Sequence, residues 1–418
     1  MKKSVSGTLQ GCVTPPPSKS QAHRLLICAA LGTEPCRISC GSVNEDIMAT
    51  MRCLNALGAS IEYSAGVFSV NPVRPTKGAT LDCGESGSTL RFLMSVAAVL
   101  GADATFTGRG KLPLRPMGDL CSVLAAHGIQ FVRHSADELP VTCCGTLQGG
   151  RFVIPGNISS QYLTGLLFAL PLATADSEIE VTGTMTSASY IAMTLDALGT
   201  AGIQVNRHGN CFSIKGGQKY SMPQEITVEG DWSSAAFWAV AGVIGKQPLT
   251  LHGMNNASLQ GDSYIIEHLR SMGAFIEVGA NGILAMPSHL FGTELDCTDT
   301  PDLLPILSVA AAVAQGTTTF YGVGRLRFKE SDRLAAMKSV LASFGIASQI
   351  GEDTFTVYGG NPVALAPVDS FGDHRIAMSA AVMATVAQGT AIIDNAVCVA
   401  KSYPAFFEDF ATLGGIVE

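Results

Sequence analysis

About every 70 residues, this chain of 418 residues repeats one pattern in which an amphipathic segment ends in Gly and a short apolar run follows. The six copies read CLNALGASIEY, VLAAHGIQFV, LDALGTAGIQV, HLRSMGAFIEV, VLASFGIASQI and FATLGGIVE, with marker glycines Gly58, Gly128, Gly202, Gly273, Gly345 and Gly414. A Gly directly after a helix stops it by turning left-handed, and the residues that follow then start a strand. Each copy is preceded by an Ala-rich segment that is apolar nearly all round: AHRLLICAAL, TLRFLMSVAAVL, QYLTGLLFAL, AAFWAVAGVI, LLPILSVAAAVA and RIAMSAAVMATVA. Helices of that kind have no face for solvent and must be buried. The pattern predicts an α/β protein of two domains, each with three repeated units, with buried helices inside and sheets outside.

The first full unit starts near Ser18 and the third ends near Pro223. Residues 18–224 are therefore expected to form an inserted domain, and residues 1–14 with 228–418 a discontinuous one. Met1–Thr14 reads as a strand that crosses over to complete the second half. Hinges are expected near 15–17 and 225–230, where Pro and Gly concentrate.

Composition narrows the function. Apolar residues are 47% and charged residues 14%, which excludes disorder. A net charge of −8 argues against a general binder of nucleic acid or acidic membrane. No apolar run approaches the roughly 18 residues of a bilayer span, and MKKSVSGTLQG has no hydrophobic segment after its lysines. A cytoplasmic protein is expected. The 12 cysteines include no CxxC pair, so no metal site is expected. Neither GxxxxGK[ST] nor GxGxxG is present, so nucleotide chemistry is not indicated.

Small, polar lead-ins precede the buried helices: PPPSKSQ, GESGST, PGNISSQ, GDWSS, TPDLLP and GDHR. Helix N-termini with free N–H groups and hydroxyls hold anions. Lys19, Arg24, Arg91 and Arg375 sit at or within a turn of these starts, and a charge in an apolar helix must be paired or must face a ligand. With Arg115, Arg327, Lys329, Arg333 and Lys401 they form a basic set in an acidic protein, suited to a ligand with several anionic groups. The stretch LRFKESDR, Leu326–Arg333, concentrates this chemistry. On a helix Lys329 and Arg333 would share one face, with Glu330 about 100° further round as a carboxylate for proton transfer.

On these residues the chain resembles the enolpyruvyl transferase family, and within it the 5-enolpyruvylshikimate-3-phosphate synthases (3-phosphoshikimate 1-carboxyvinyltransferases). The matching blocks are SKSQAHR (Ser18–Arg24), NEDI (Asn44–Ile47), SGSTLR (Ser86–Arg91), LRPM (Leu114–Met117) and SSQYLTGLL (Ser159–Leu167). They continue with GDWSSAAF (Gly230–Phe237), PDLLP (Pro301–Pro305), LRFKESDR, DHRIAM (Asp373–Met378) and KSYPAFFEDF (Lys401–Phe410). Ten blocks in one order span essentially the whole chain. The resemblance implies two domains of three βαβαββ-type units that close around their substrates. It also implies transfer of the enolpyruvyl group of phosphoenolpyruvate to the 5-hydroxyl of shikimate 3-phosphate, with release of phosphate through a tetrahedral intermediate. No cofactor, a monomeric state and small-molecule partners alone are expected with it.

Carried over residue by residue, Lys19, Asp302 and Glu330 would be catalytic, with Asp302 as base for the 5-hydroxyl and Glu330 as proton donor and acceptor at the methylene carbon. Lys19, Ser20, Arg24, Ser159, Ser160, Gln161, Ser187, Tyr190, Asp302 and Lys329 would contact shikimate 3-phosphate. Lys19, Gly87, Ser88, Arg115, Gln161, Arg333, Arg375 and Lys401 would contact phosphoenolpyruvate. Lys329 would bridge the two ligands, and His374 either supports the site or is a structural histidine. Gly87 would allow close approach to the ligand, and from it competition by glyphosate is expected. Glu85 stands where family members mostly carry Asn, and Ser88 where Thr is usual. A carboxylate at 85 repels phosphoenolpyruvate unless a cation pairs it or it points away.

Three other readings have different signatures. A UDP-N-acetylglucosamine enolpyruvyl transferase would carry a loop Cys in the region of Lys111–Met117, where this chain has none. A non-catalytic phosphometabolite binder would need neither Asp302 nor Glu330. An RNA-end-processing enzyme of related architecture would favour a basic, aromatic stripe.

Overall fold

The computed structural model describes residues 2–156, 160–183, 185, 187–279 and 282–418. Two compact units divide the chain. One comprises Met1–Ser18 with Glu229–Glu418, the other Lys19–Val228. They are called the discontinuous and the inserted unit below.

Six long, apolar helices come first in each repeat: α1 (Lys19–Ala30), α3 (Gly87–Val99), α5 (Ser160–Ala169), α7 (Trp232–Ile244), α9 (Leu304–Val313) and α11 (His374–Ala384). Every residue of α11 is buried, as its apolar circumference requires. The second helices are α2 (Glu45–Ala56), α4 (Gly118–Ala125), α6 (Ala188–Thr200), α8 (Ile265–Ser271), α10 (Arg333–Ser343) and α12 (Phe406–Thr412). The marker glycine that follows each second helix is left-handed, with φ from 73° at Gly202 to 106° at Gly58. That conformation is open to Gly without a Cβ clash and ends the helix where the sequence pattern predicts.

Among the described residues, six four-stranded sheets accompany these helices, and all have one plan. A parallel pair flanks the first helix, and two antiparallel strands complete the sheet, as in Arg151–Pro155, Ser177–Thr182, Cys211–Ile214 and Val205–His208. Two first strands are exchanged. Gly11–Val13 precedes α1 in the chain but pairs in parallel with Leu249–Leu251, the strand after α7. Glu225–Thr227 precedes α7 but pairs in parallel with Cys36–Ser39, the strand after α1. Lys3–Gly7 closes the last sheet between Ala391–Asp394 and Gly415–Val417.

One sequence expectation is corrected here. Met1–Thr14 is not one strand, because left-handed glycines at 7 and 11 bracket a break and send its two halves to different sheets. Glu225–Thr227 is a strand whose backbone groups are satisfied by Arg37–Ser39, and the boundary between the two units follows it, between Val228 and Glu229. Each unit has its own apolar core, built around α1, α3 and α5 in one and α7, α9 and α11 in the other. In the latter, Trp238 stacks on Phe406 with centroids 4.9 Å apart and donates Nε1–H to the Tyr403 hydroxyl at 3.2 Å. No helix among the described residues is long and apolar enough to cross a membrane.

Candidate active site

In the discontinuous unit, polar chemistry gathers at the N-termini of α9, α10 and α11. The LRFKESDR stretch is not one helix. A 3-10 segment, Gly324–Phe328, ends before Lys329, whose backbone is extended, and Asp332 caps α10 by accepting from Ala335 N at 3.1 Å. Lys329 and Arg333 therefore do not share a helical face, because a strong N-cap two residues after Glu330 fixes the helix start at Arg333.

Arg333 is 1% exposed and reaches three carboxylates. It donates Nη1–H to Asp302 Oδ1, Nη2–H to Glu330 Oε2 and Nε–H to Asp373 Oδ2, each at 2.8 Å. Only a planar, five-donor guanidinium can serve three carboxylates in this way. Asp302 lies in the turn Pro301–Leu303 and also receives Lys329 Nζ at 3.3 Å and Arg375 Nη2 at 3.4 Å. Burial alone would raise the Asp302 carboxyl, but Lys329, Arg375 and Arg333 together outweigh it and hold the group well below the usual carboxylate range. Asp373 is lowered likewise, burial being outweighed mainly by Arg333. Burial pushes the Lys329 ammonium down, against the pull of Asp302. Asp373 also caps α11 through Arg375 N at 3.0 Å and accepts from Ser331 Oγ at 3.0 Å. Nearby Asp262 accepts from Ser233 Oγ and is pushed up to about 6, by burial first, with Arg375 opposing and Asp302 adding to the rise.

A second cluster lies at the N-termini of α1, α3, α5 and α6 in the inserted unit. Lys19 opens α1 and pairs with Asp46 Oδ2 of α2 at 3.0 Å. Arg24 is buried, with three donor atoms engaged: Nε on Thr194 Oγ1 at 3.0 Å, Nη1 on Ser20 O at 2.6 Å and Nη2 on Tyr190 O at 2.9 Å. Burial lowers its pKa to about 10. Arg24 thereby ties α1 to α6, whose N-cap Ser187 adopts a left-handed backbone with φ 59°. Ser86 caps α3, and Gly87 and Ser88 follow it. Gln161 bridges this turn to Arg91, donating Nε2–H to Ser88 Oγ at 3.0 Å and accepting from Arg91 Nη1 at 2.7 Å. A Cβ at Gly87 would sit 2.9 Å from Arg115 Nη1 and 3.3 Å from Arg91 Nη1, so the bare α-carbon lets two guanidinium groups converge there. Guanidinium groups and helix N–H groups around one turn can hold a phosphate or carboxylate.

The profile of the family EPSP synthase (3-phosphoshikimate 1-carboxyvinyltransferase) matches residues 4–410. A relative from Clostridium kluyveri named 3-phosphoshikimate 1-carboxyvinyltransferase is 42% identical, covering 98% of this chain and 96% of its own. The chain belongs to the EPSP synthase family. A relative of the same name from Clostridium novyi is 39% identical, covering 100% of this chain and 98% of its own. Among solved structures, an EPSP synthase from Acinetobacter baumannii superposes with a TM-score of 0.82 at 26% identity, covering 100% of this chain and 99% of that one. The enolpyruvyl transferase NikO from Streptomyces tendae shares the fold, with a TM-score of 0.81 at 18% identity, covering 100% of this chain and 98% of that one. The α/β fold with six repeats is thus that of EPSP synthases.

Of the residues drawn from the family resemblance, Lys19, Ser20, Arg24, Gly87, Ser88, Arg115, Ser160, Gln161, Ser187 and Tyr190 lie in the inserted unit. Asp302, Lys329, Glu330, Arg333, Arg375 and Lys401 lie in the discontinuous one, with Lys401 ending the 3-10 helix Ala396–Lys401. Ser159 lies outside the described residues. His374 is 1% exposed, with Nδ1 3.7 Å from Asp373 Oδ1. Glu85 lays its carboxylate over Gly110, where a Cβ would come within 2.6 Å of Oε1. Sequence reasoning missed Asp46, Asp262 and Asp373 as partners of the site cations. Asp46 and Asp373 stand inside recognised blocks, NEDI and DHRIAM, and a carboxylate beside buried cations was the available signal.

Proposed function

We propose that this EPSP synthase family member transfers the enolpyruvyl group of phosphoenolpyruvate to the 5-hydroxyl of shikimate 3-phosphate and releases phosphate. The observation that carries this reading is the placement of two carboxylates, Asp302 and Glu330, on one buried guanidinium, Arg333. Glu330 gives a proton to the methylene carbon, making it a methyl group, while the 5-hydroxyl oxygen bonds to the adjacent carbon and yields its proton to Asp302. Glu330 then takes a proton back from the methyl group as the C–O bond to phosphate breaks, and the proton held by Asp302 leaves with the phosphate. A carboxylate held as low as Asp302 is a weak base while three cations surround it. Anionic ligand groups that draw on Lys329, Arg333 and Arg375 relieve that hold and strengthen the base when substrate is present.

Lys19, Gly87, Ser88, Arg115, Gln161, Arg333, Arg375 and Lys401 are assigned to phosphoenolpyruvate. Lys19, Ser20, Arg24, Ser159, Ser160, Gln161, Ser187, Tyr190, Asp302 and Lys329 are assigned to shikimate 3-phosphate. Arg24 supports its ligand partly by fixing Ser20 and Tyr190. The enzyme works as a cytoplasmic monomer with no cofactor, and glyphosate competes with phosphoenolpyruvate. The deciding experiment measures phosphate release by the purified protein with each substrate alone and with both. Release only with both supports the transferase. No release with both ligands bound overturns it.

A further inference from the structure

Behind the N-termini of α1, α2 and α3 runs an unbroken line of buried polar side chains. His23 Nδ1 is 2.7 Å from Thr50 Oγ1, Thr50 Oγ1 is 2.7 Å from Thr89 Oγ1, and Thr89 Oγ1 is 2.8 Å from Ser86 Oγ. All four residues are buried within the inserted unit. Burying four polar groups is unfavourable unless each is bonded, and apolar side chains could fill the same space. Simple burial therefore does not account for the line.

Its hydrogen-bond order follows from counting protons. Thr89 donates its single hydroxyl proton toward Ser86 Oγ, with Asp46 O a second, longer acceptor at 3.4 Å. Thr89 must then accept from Thr50, and Thr50 must accept from His23. The imidazole is thus the neutral Nδ1–H tautomer. Burial lowers the His23 pKa to about 3, so it stays neutral at working pH, and Nε2 has no partner among the described residues. Ser86 Oγ accepts at the far end, where it also caps α3 by accepting from Thr89 N at 3.2 Å.

The line is tied to residues assigned above to phosphoenolpyruvate. Lys19 and His23 are four apart on α1, and Asp46 and Thr50 are four apart on α2. The Lys19–Asp46 ion pair and the His23–Thr50 bond are therefore adjacent rungs between the same two helices. A further rung, Thr50–Thr89, reaches the first turn of α3, which carries Gly87 and Ser88. One turn further along α2, Cys53 Sγ contacts Asp82 O at 3.4 Å, in the strand that leads into that turn. Ser20 and Tyr190 hang on a different set of bonds, through Arg24 and Thr194.

We propose that His23, Thr50 and Thr89 are positioning residues that fix Lys19 relative to Gly87 and Ser88, and so set recognition of the phosphoenolpyruvate anion. This rests on the ligand assignment made under the proposed function. Thr50→Val removes the hydroxyl at nearly constant volume. The KM for phosphoenolpyruvate is expected to rise about tenfold, and that for shikimate 3-phosphate, which shares Lys19 but not Gly87 or Ser88, to rise clearly less. Thr50→Ser, which keeps the oxygen, restores the first KM. Unchanged KM values in Thr50→Val, an equal rise in both, or no rescue by Ser overturns the proposal. If Val prevents a cooperative melt, Thr50→Ala is read by the same criteria. Wild-type protein that releases no phosphate overturns the transferase reading instead, and calorimetric binding of phosphoenolpyruvate to the same variants still decides this one.

Discussion

Arg333 Nη2 donates to Glu330 Oε2 at 2.8 Å across one turn of chain, so the carboxylate proposed to move the proton is held by a guanidinium that is itself 1% exposed. Glu330→Gln keeps an oxygen to accept that bond but removes the proton carrier. We expect kcat for phosphate release to fall about 10²–10⁴-fold, with little change in the urea midpoint. Near-wild-type turnover in this variant would remove Glu330 from the mechanism.

Asp373 differs in kind, because it is fully buried and joins Arg333 to the start of α11. Asp373→Ala leaves Arg333 with two carboxylates instead of three and removes the α11 N-cap. A loss of about 3–5 kcal/mol in unfolding free energy is expected, and a smaller loss for Asp373→Asn, which retains a capping oxygen. The folded carboxyl is lowered, so its contribution is present above the unfolded pKa and fades as pH falls through the folded one. The deficit of the Ala variant should therefore shrink below about pH 4, as urea titrations at several pH values would show.

Asp262 titrates with the opposite sign. Its folded pKa, about 6, lies above the ordinary 3.8, so the folded state holds the proton more tightly than the unfolded chain. Below pH 4 both states are protonated and ionisation is not at issue. As pH rises through 6, folding must keep a buried carboxylate charged, and stability is lost. Asp262→Asn escapes that loss. It should match the wild type at pH 4 and exceed it by at most about 3 kcal/mol at pH 8. A constant difference across that range would show that Asp262 does not titrate as its burial implies.

The repeat was legible because its punctuation is local: a left-handed Gly ends a helix whatever lies around it, as Gly58 and Gly414 illustrate. The buried helices were legible for a similar reason, since a circumference that is apolar nearly all round leaves no exposed option. The crossover of Met1–Thr14 into the second half was read, but its division between two sheets and the reciprocal pairing of Glu225–Thr227 with Cys36–Ser39 were not, because three-residue strands carry almost no periodic signal and their partners lie far along the chain. The helical face assigned to Lys329 and Arg333 failed because Asp332 takes Ala335 N and starts the helix later. At the site, cation positions stood out against apolar helices. Their carboxylate partners, Asp46 and Asp373, are set by tertiary packing that spacing alone does not encode.

Gly87→Ala separates the anion turn from the scaffold. The new Cβ meets Arg115 Nη1 at 2.9 Å, at the end of a long side chain that can swing away. Folding should change by less than about 1 kcal/mol, while displacement of Arg115 raises the KM for phosphoenolpyruvate about tenfold. Steady-state kinetics with each substrate varied in turn would show it. A rise confined to shikimate 3-phosphate would reassign the turn.

The marker glycines give a comparison within one molecule. Gly58 and Gly202 end equivalent helices with φ of 106° and 73°, so Ala at either pays the left-handed penalty of about 1–2 kcal/mol. Their surroundings differ. A Cβ on Gly202 finds nothing nearer than Ser221 Cβ at 4.0 Å, whereas one on Gly58 would lie 2.1 Å from Arg74 O. That carbonyl cannot retreat freely, because Arg74 N donates to Gly58 O at 3.0 Å and holds the two segments together. Gly58→Ala should therefore cost at least about 2 kcal/mol more than Gly202→Ala in urea unfolding. Equal costs would mean that backbone conformation alone, and not the close approach of Arg74, reserves position 58 for glycine.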